Sequence, residues 1–229
     1  MDFDFTEDQE QLRDAVRKWV DKAYTFERRR TIAKDGGFSA DAYQELADLG
    51  LCGLYVPEDL GGLGMGPVEG MVVMEELGRG IVLEPLAQAL IAGAVLGHYA
   101  PKPLATEWAG AVASGESLVS LAYQERAARY RLDNCTTQAS GKDGAWTLSG
   151  AKSLVPAGDQ ADAFLVPASV GANWFRDYVH GHALVLALNG RLAFMPDKPT
   201  WLYPKDCVLC LYSPTIVPGF EVWNWRQQP

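Results

Sequence analysis

A glycine-rich stretch at residues 53–66, GLYVPEDLGGLGMG, has residue types that could bind a phosphate. Glycine loops cradle nucleotide phosphates with backbone N–H groups, but the dinucleotide motif needs G-x-G-x-x-G between a strand and a helix. Gly62, Gly64 and Gly66 are spaced G-x-G-x-G and lie between two predicted helices, and the sequence has no Gly-Lys-Ser/Thr triplet. We therefore interpret the stretch as a helix connection in which glycine serves the backbone conformation.

A second group of residues could bind a metal ion. Cys207 and Cys210 form C-x-x-C, and His180 and His182 form H-x-H, which together offer four nitrogen and sulfur ligands for tetrahedral zinc. A second C-x-x-C pair is absent, and H-x-H spacing does not place two ligands on one helix face. We predict no metal site, with a small zinc-binding protein as an alternative.

Carboxylates and nucleophiles show no further catalytic pattern. Glu75 and Glu76 are adjacent on a predicted helix, where neighbouring side chains point about 100° apart, so they do not form a paired-carboxylate site. We expect both on a solvated helix face. No Ser/His/Asp or Cys/His arrangement stands out, because the three histidines begin at residue 98 and no nucleophile motif accompanies them.

The composition is that of a globular protein of one or two domains: 229 residues, 48% hydrophobic and 21% charged. The net charge of −9 argues against nucleic acid as a partner. No apolar run approaches the roughly 20 residues that span a bilayer, and the acidic start MDFDFTEDQE does not resemble a signal peptide. We expect a cytoplasmic protein without a membrane partner, in which Cys52 and Cys135 are reduced.

The first 116 residues have the periodicity of helices. Thr6 and Gln9 have capping-box spacing ahead of an apolar stripe at helical intervals. Further helices are predicted from Ser39 to Gly50 and from Pro67 to the Gly78/Gly80 stop. The segments PLAQALIAGAVLGHYA and PLATEWAGAVASG complete a predicted set of five.

A β pattern follows. Residues 117–125, 145–155 and 162–168 are rich in strand-forming residues, with turn signals between them. Helices followed by strands predict an α+β fold, with an all-α N-terminal domain at 1–116 and an incomplete antiparallel β domain at 117–169.

The last sixty residues differ from the rest. Residues 1–169 carry 15 Lys/Arg and 25 Asp/Glu, a net −10, whereas residues 170–229 carry 5 and 4, a net +1. A hairpin is predicted around Asn189-Gly190. We leave 170–229 unassigned, as an atypical tail.

The ordered motifs of residues 3–169 resemble the acyl-CoA dehydrogenase family. The motifs are FTEDQEQLRDAVRKWV, LADLGLCGLYVPEDLGGLGMG, VVMEELGRG, LAYQER and WTLSGAKSLVPAGDQADAFLVPA. The combination of LEPLAQA with AYQE is similar to the small-subunit type of pimeloyl-CoA dehydrogenase.

The resemblance implies FAD as cofactor and α,β-dehydrogenation of an acyl-CoA thioester, in which a carboxylate takes the α proton and the flavin takes a hydride. It also implies an oligomer, homo- or hetero-, of acyl-CoA dehydrogenase subunits, with an electron-transfer flavoprotein as a possible electron acceptor.

Carried over to this sequence, the resemblance places Tyr123 and Gln124 on the strand that meets the flavin ring, with Glu125 at the family's acidic position. In the second motif, the family's flavin-contacting positions fall on Leu154 and Pro156, and Val155 is expected to form a wall beside the ring; proline has no N–H to donate there. The positions of the small polar residues that bind pyrophosphate in the family are occupied here by Ala128, Arg129 and Tyr130, so the resemblance does not carry a phosphate contact over to them.

The resemblance ends near residue 169, before the family's C-terminal helical domain and its catalytic base. We predict no catalytic residue in this chain and little activity, because proton abstraction needs a base. One hypothesis is a truncated enzyme with a frameshifted tail, which translation of the other two reading frames would test. The alternative is a non-catalytic partner subunit or truncated paralogue that acts by association.

Overall fold

The computed structural model describes residues 4–129, 135–142, 145–170, 182–188, 191–194, 210–211 and 220–223. The chain divides into two compact units, one formed by Met1–Gly97 with Ala109–Glu116 and the other by His98–Trp108 with Ser117–Pro229. The domain limits that we infer from the sequence, at residues 116 and 169, stay predictions.

The helices occupy the first half of the chain. They are α1 (Glu7–Lys22), α2 (Phe26–Lys34), α3 (Ala40–Asp48), α4 (Pro67–Gly80), α5 (Leu86–Tyr99) and α6 (Lys102–Ala113). The predicted capping box of α1 is confirmed, since Thr6 Oγ1 accepts from the N–H of Gln9 at 3.3 Å and Gln9 Oε1 accepts from the N–H of Thr6 at 3.0 Å. Within the described part of the chain, no helix has the length and apolarity needed to cross a membrane.

Helix α2 was not predicted, because its sequence FERRRTIAK has almost no apolar stripe and buries only Ile32. Tertiary contacts of its arginines hold it in place. The Arg28 guanidinium forms a two-pronged ion pair with the Glu45 carboxylate, at 2.9 and 2.8 Å. Arg29 donates to the carbonyl oxygen of Gly80 at 2.6 Å. These contacts lie far apart in sequence, so local periodicity does not reveal them.

The glycine-rich stretch is a helix connection, as predicted. Its N–H groups are used internally: those of Gly61 and Gly62 donate to the carbonyls of Glu58 and Pro57, and that of Gly64 donates to the carbonyl of Val56. The N–H of Gly66 donates to the carboxylate of Glu69, in the first turn of α4. Since these donors are occupied, the stretch does not offer a phosphate cradle.

Close packing explains a second glycine requirement in this unit. A Cβ added at Gly93, in α5, would lie 2.7 Å from the Cγ2 atom of Val56 in the glycine-rich stretch. A Cβ added at Gly78, in α4, would meet no atom within 4 Å. The two positions therefore form a matched pair for substitution.

We expect Gly93→Ala to lower the free energy of unfolding by about 1–3 kcal/mol, the usual cost of overpacking. Gly78→Ala is expected to raise it by about 0.5–1 kcal/mol, because alanine loses less backbone entropy in a helix. Urea unfolding followed by circular dichroism measures both. Equal effects of the two substitutions would contradict the packing argument.

The strands follow the helices. They are β1 (Val119–Leu121), β2 (Gln138–Lys142), β3 (Ala145–Ser153), β4 (Ala163–Val170), β5 (His182–Leu188), β6 (Arg191–Phe194), β7 (Cys210–Leu211) and β8 (Phe220–Trp223). The path of the sheet is β6-β5-β4-β2-β3-β8, and β1 and β7 both pair with β4. Leu188 lies opposite Arg191 in the antiparallel β5–β6 pair, which confirms the predicted hairpin.

The predicted α+β class is confirmed, and the sheet itself is mixed rather than purely antiparallel. Pairs β2–β3, β4–β5, β4–β7 and β5–β6 are antiparallel, whereas β1–β4, β2–β4 and β3–β8 are parallel. Strand propensity does not encode partner direction, because pairing depends on residues distant in sequence. Strand β4 is the buried core of the sheet, and Phe164, Leu165 and Val166 have no exposed surface.

Candidate functional site

Two segments of the second unit carry the residues predicted to face a flavin. Tyr123 and Gln124 follow β1, and Val155 and Pro156 follow β3. The structure brings the segments together, because the N–H of Ser153 donates to the carbonyl oxygen of Gln124 at 2.8 Å. Residues about thirty positions apart in sequence thus lie at one place on the unit.

The exposed surface of this junction is apolar. Tyr123 is 48% exposed and Leu154 is 56% exposed. Val155, predicted as part of the flavin wall, is only 3% exposed, so its side chain faces the interior and Leu154 presents the surface instead. Leu154 has φ +54°, a left-handed conformation that is unusual for a non-glycine residue and is often associated with functional sites.

Hydrogen bonds fix the backbone of the second segment. The Pro156 carbonyl accepts from Ser120 Oγ at 2.6 Å, and the Val155 carbonyl accepts from the N–H of Gly158 at 3.1 Å. Among the described residues, the N–H groups of Gln124 and Leu154 meet no acceptor. The junction therefore combines a firmly held backbone with two N–H groups that no acceptor of the described residues occupies.

A buried ion pair lies within the same junction. The ammonium of Lys152, in β3, is 2.7 Å from Glu125 Oε1, and the two residues are 1% and 2% exposed. The Lys152 ammonium also lies 3.5 Å from the carbonyl oxygen of Tyr123. Both segments of the junction are therefore bonded to one charged pair.

The Glu125 carboxylate receives further hydrogen bonds from two threonines just before β2. Thr137 donates to Oε1 through its N–H at 3.0 Å and its hydroxyl at 2.7 Å. Thr136 donates to Oε2 through its N–H at 2.7 Å and through its hydroxyl. Burial raises the pKa of Glu125, but the bonds from Lys152, Thr136 and Thr137 outweigh it and lower the pKa to about 2.

Cys135 borders the network as a covered thiol. Its Sγ lies 3.2 Å from the Pro167 carbonyl oxygen and 3.5 Å from Glu125 Oε1, two alternative acceptors for its single S–H. Burial raises the pKa of the Cys135 thiol, and the nearby Lys152 charge only partly offsets this. Since the thiolate is the reactive form, Cys135 is suited to packing rather than to nucleophilic chemistry.

The low pKa of Glu125 predicts an acid-sensitive contribution to stability. A carboxyl group that titrates near 4.5 in the unfolded chain and near 2 in the folded chain stabilises the fold fully above about pH 4.5. This contribution is lost as the pH falls from about 4.5 to 2, because the unfolded state then binds the proton first. We expect the stability difference between the wild type and Glu125→Gln to shrink over that range. Urea titrations of both chains at a series of pH values measure it, and a constant difference would contradict the prediction.

From the sequence, Glu125 is indicated only by its position in the motif, and Lys152, Thr136 and Thr137 are not predicted as site residues. The available signal was Lys152 itself, a charged residue within the strand-like segment AWTLSGAKSLV. Lysine is almost never fully buried unless it is paired, so its place in a buried strand indicates a carboxylate partner. Which carboxylate pairs with it depends on the tertiary structure.

The expected solvated face of Glu75 and Glu76 is wrong for one of the two. Glu76 is buried, and its carboxylate accepts from Arg17 at 2.6 Å and from Arg79 at 2.8 Å. The bond from Arg17 is the main cause that lowers the pKa of Glu76, against the effect of burial. Glu75 is exposed as expected. The pairing of Glu76 serves the contact between α1 and α4.

The cysteine and histidine group considered for zinc lies outside the residues whose side chains the structure describes: His180, His182, Cys207 and Cys210. Tyr130 is likewise outside the described residues. In the ranges that are described, no group of three or more His, Cys, Asp and Glu side chains could hold a metal ion.

Comparison with known proteins gives a consistent set of relatives. The family described as "Acyl-CoA dehydrogenase, N-terminal domain" matches residues 6–116. Acyl-CoA dehydrogenase FadE27 of Mycobacterium tuberculosis is 31% identical over 170 residues, which cover 73% of this chain and 44% of that protein. The chain thus spans less than half the length of this relative.

Solved structures share the fold. The ChsE4-ChsE5 complex from Mycobacterium tuberculosis matches with a TM-score of 0.71 and 28% identity, over 83% of this chain and 49% of that chain. PigA with FAD and proline matches with a TM-score of 0.69 over 83% of this chain and 50% of that chain; at 19% identity it shows the fold alone.

Proposed function

Since this chain belongs to the acyl-CoA dehydrogenase family through its N-terminal domain at residues 6–116, we propose that it serves the FAD-dependent α,β-dehydrogenation of an acyl-CoA thioester. The observation that carries the proposal is the junction of Tyr123 and Gln124 with Ser153 and Leu154, which joins the family's two flavin-contacting motifs. The bound FAD would supply the hydride acceptor of the reaction.

The residues of the junction fit an isoalloxazine ring. Tyr123 and Leu154 offer exposed apolar surface for one face of a flat aromatic group. The N–H groups of Gln124 and Leu154 are donors that suit the carbonyl oxygens and ring nitrogens at the polar edge of a flavin.

The fit to the pyrophosphate of FAD rests on other residues than in the family pattern. Ala128 is buried, and its N–H donates to the Glu125 carbonyl at 3.0 Å. Arg126 and Arg129 are exposed in the turn beside it. Guanidinium groups bind phosphates through paired hydrogen bonds, so we assign phosphate binding to these two arginines.

Two buried carboxylates of the described residues, those of Glu125 and Glu76, are unsuited to remove the α proton. Glu125 is covered and held ionised by its partners, whereas a general base works best with a pKa near the working pH. Glu76 is committed to two arginines. We propose that these 229 residues bind and orient the cofactor, and that another part of the assembly contributes the base.

A second candidate function is that of a non-catalytic partner subunit. The match to a chain of the ChsE4-ChsE5 complex favours it, because that structure is a complex of two differently named proteins. In this function the chain would associate with an acyl-CoA dehydrogenase subunit that carries the base. An electron-transfer flavoprotein would be the electron acceptor of the complete enzyme.

Titration of the purified chain with FAD tests the proposal. We expect quenching of flavin fluorescence and a visible flavin spectrum that stays with the protein on gel filtration. Tyr123→Ala with Leu154→Ala should weaken binding by about tenfold or more, which corresponds to about 1.4 kcal/mol. Met71→Ala, an exposed apolar residue of α4, is the matched control and should bind as the wild type does.

The two candidate functions give different results in the same preparation. Saturable binding of FAD by the chain alone supports the first. A colourless chain that forms a stable complex with a full-length acyl-CoA dehydrogenase subunit supports the second. A chain that neither binds FAD nor forms that complex would refute both.

A further inference from the structure

We propose that the buried Lys152–Glu125 ion pair is a positioning element that sets the distance between the two segments of the junction, and thereby the shape of the surface offered to FAD. The inference rests on the proposed function for its ligand, but the positioning itself is a property of this chain. Neither residue is expected to touch the reacting atoms.

The strand ladders of the sheet do not fix the distance between the two segments. Strand β1 pairs with β4, and β3 pairs with β2 and β8, so no ladder joins β1 to β3 among the described strands. Outside the strand ladders, residues 123–125, after β1, and residues 152–154, at the end of β3, share one backbone hydrogen bond among the described residues, from Ser153 to Gln124. The Ser120 hydroxyl adds a second bond further along, to the Pro156 carbonyl at 2.6 Å, and two bonds still leave the segments free to turn about the line that joins them.

The ion pair adds the missing constraints on either side of the bond from Ser153 to Gln124. Lys152 precedes Ser153 and contacts both the residue before Gln124, through the Tyr123 carbonyl at 3.5 Å, and the residue after it, through Glu125 at 2.7 Å. Three consecutive residues of the first segment are thus bonded to two consecutive residues of β3. The contacts define both the separation and the relative twist of the segments.

The carboxylate in turn cannot move with the lysine. Four donors from Thr136 and Thr137 hold it, at the start of β2. Glu125 therefore links three parts of the unit: the segment after β1, the start of β2 and the end of β3. Because both charges are covered, water does not compete for these bonds, and each is stronger than on the surface.

A buried charged pair is better suited to fixing the relative position of the two segments than to stabilising the fold. A buried ion pair can often be replaced by apolar residues without loss of stability, since desolvation offsets the attraction. What apolar side chains do not supply is direction: a lysine donates along defined N–H bonds, and packing contacts tolerate sliding. Variants in which apolar residues replace the pair should therefore lose the fixed position of the two segments to a greater extent than they lose stability.

The test uses the full chain, with FAD as the probe and three substitutions. Lys152→Met removes the directed bonds, and Glu125→Leu with Lys152→Met replaces the pair by apolar groups. Glu76→Gln disrupts the ion pair between the buried Glu76 carboxylate and Arg17 in the first unit, and it serves as the matched control for lost stability. Hydrogen exchange by mass spectrometry reports on peptides that cover residues 119–128 and 150–158, and fluorescence quenching gives the dissociation constant for FAD.

Positioning predicts a specific pattern. Lys152→Met and the double variant should both exchange at least about tenfold faster in the two peptides and bind FAD at least about tenfold more weakly, even where the double variant regains stability. Glu76→Gln should leave the two peptides and FAD binding as in the wild type. A double variant with wild-type exchange and wild-type FAD affinity would overturn the inference while the proposed function stands.

If the wild type itself does not bind FAD, the proposed function fails and the exchange data still decide the inference. Faster exchange confined to the two peptides would support positioning. Exchange that rises equally throughout the second unit, including residues 163–169 of β4, would show that the pair only stabilises the unit.

Discussion

Replacing Glu125 by leucine is expected to lower the free energy of unfolding by about 3–5 kcal/mol, because the change leaves a buried ammonium without its counter-ion. It also leaves the four donors of Thr136 and Thr137 without their acceptor. Lys152→Met should cost less, since those four donors still satisfy the carboxylate that remains. Guanidinium chloride unfolding at pH 7 measures both.

The double variant, Glu125→Leu with Lys152→Met, completes a double-mutant cycle with the two single variants. It should recover the part of the loss that comes from the unpaired ammonium, because no unpaired charge is then buried, whereas the donors of Thr136 and Thr137 still lack their acceptor. An exposed pair provides the control: Glu10→Gln removes the partner of Arg13 at the surface and should cost less than about 1 kcal/mol. A Glu125→Leu chain as stable as the Glu10→Gln chain would contradict the burial of the pair.

Phe164→Ala is expected to lower the free energy of unfolding by about 3–5 kcal/mol, the usual cost of truncating a buried phenylalanine. Phe164 lies in β4 between its partners β1 and β5, opposite Ser120 and Ala187, and has no exposed surface. The loss combines lost burial of apolar area with the cavity left between neighbours that relax only partly.

Phe26→Ala is the matched control for this substitution. Phe26 is 60% exposed at the start of α2, where its ring lies 5.3 Å from the Arg29 guanidinium carbon. Its truncation should cost about 1 kcal/mol or less, the value of an exposed cation–π contact. Thermal or chemical unfolding of both chains gives the comparison, and similar losses would show that Phe164 does not lie in a packed core.

Elements whose signals are local could be predicted from the sequence. The capping box at Thr6 and Gln9 involves residues three apart, and the hairpin at Asn189-Gly190 needs a turn of two residues. Helix α2 has its stabilising partners in α3 and at the last residue of α4. Strand β2, QASGK, lacks the apolar residues of a typical strand. Both escaped prediction because their stability comes from contacts distant in sequence.

The candidate site likewise has residues that sequence motifs locate and features that only the structure shows. Motif resemblance located Tyr123, Gln124, Val155 and Pro156 along the chain, and the structure shows that their segments lie side by side. It assigns the exposed position to Leu154 instead of Val155, since the left-handed backbone at Leu154 changes which side chain faces outward. Side-chain alternation along a strand would not predict this, because the alternation ends where the strand does.

By itself, the sequence determined the helical first half, the change to strands near residue 117, the family resemblance and the use of glycine in GLYVPEDLGGLGMG. Each depends on residue types at short spacing along the chain, and such local patterns directly indicate secondary structure and turns. Only the tertiary structure decided that Lys152 pairs with Glu125, that Glu76 is buried between two arginines and that the sheet is mixed. A buried charge is tolerated only beside its partner, and the partner's identity is fixed by which distant segments the fold brings together.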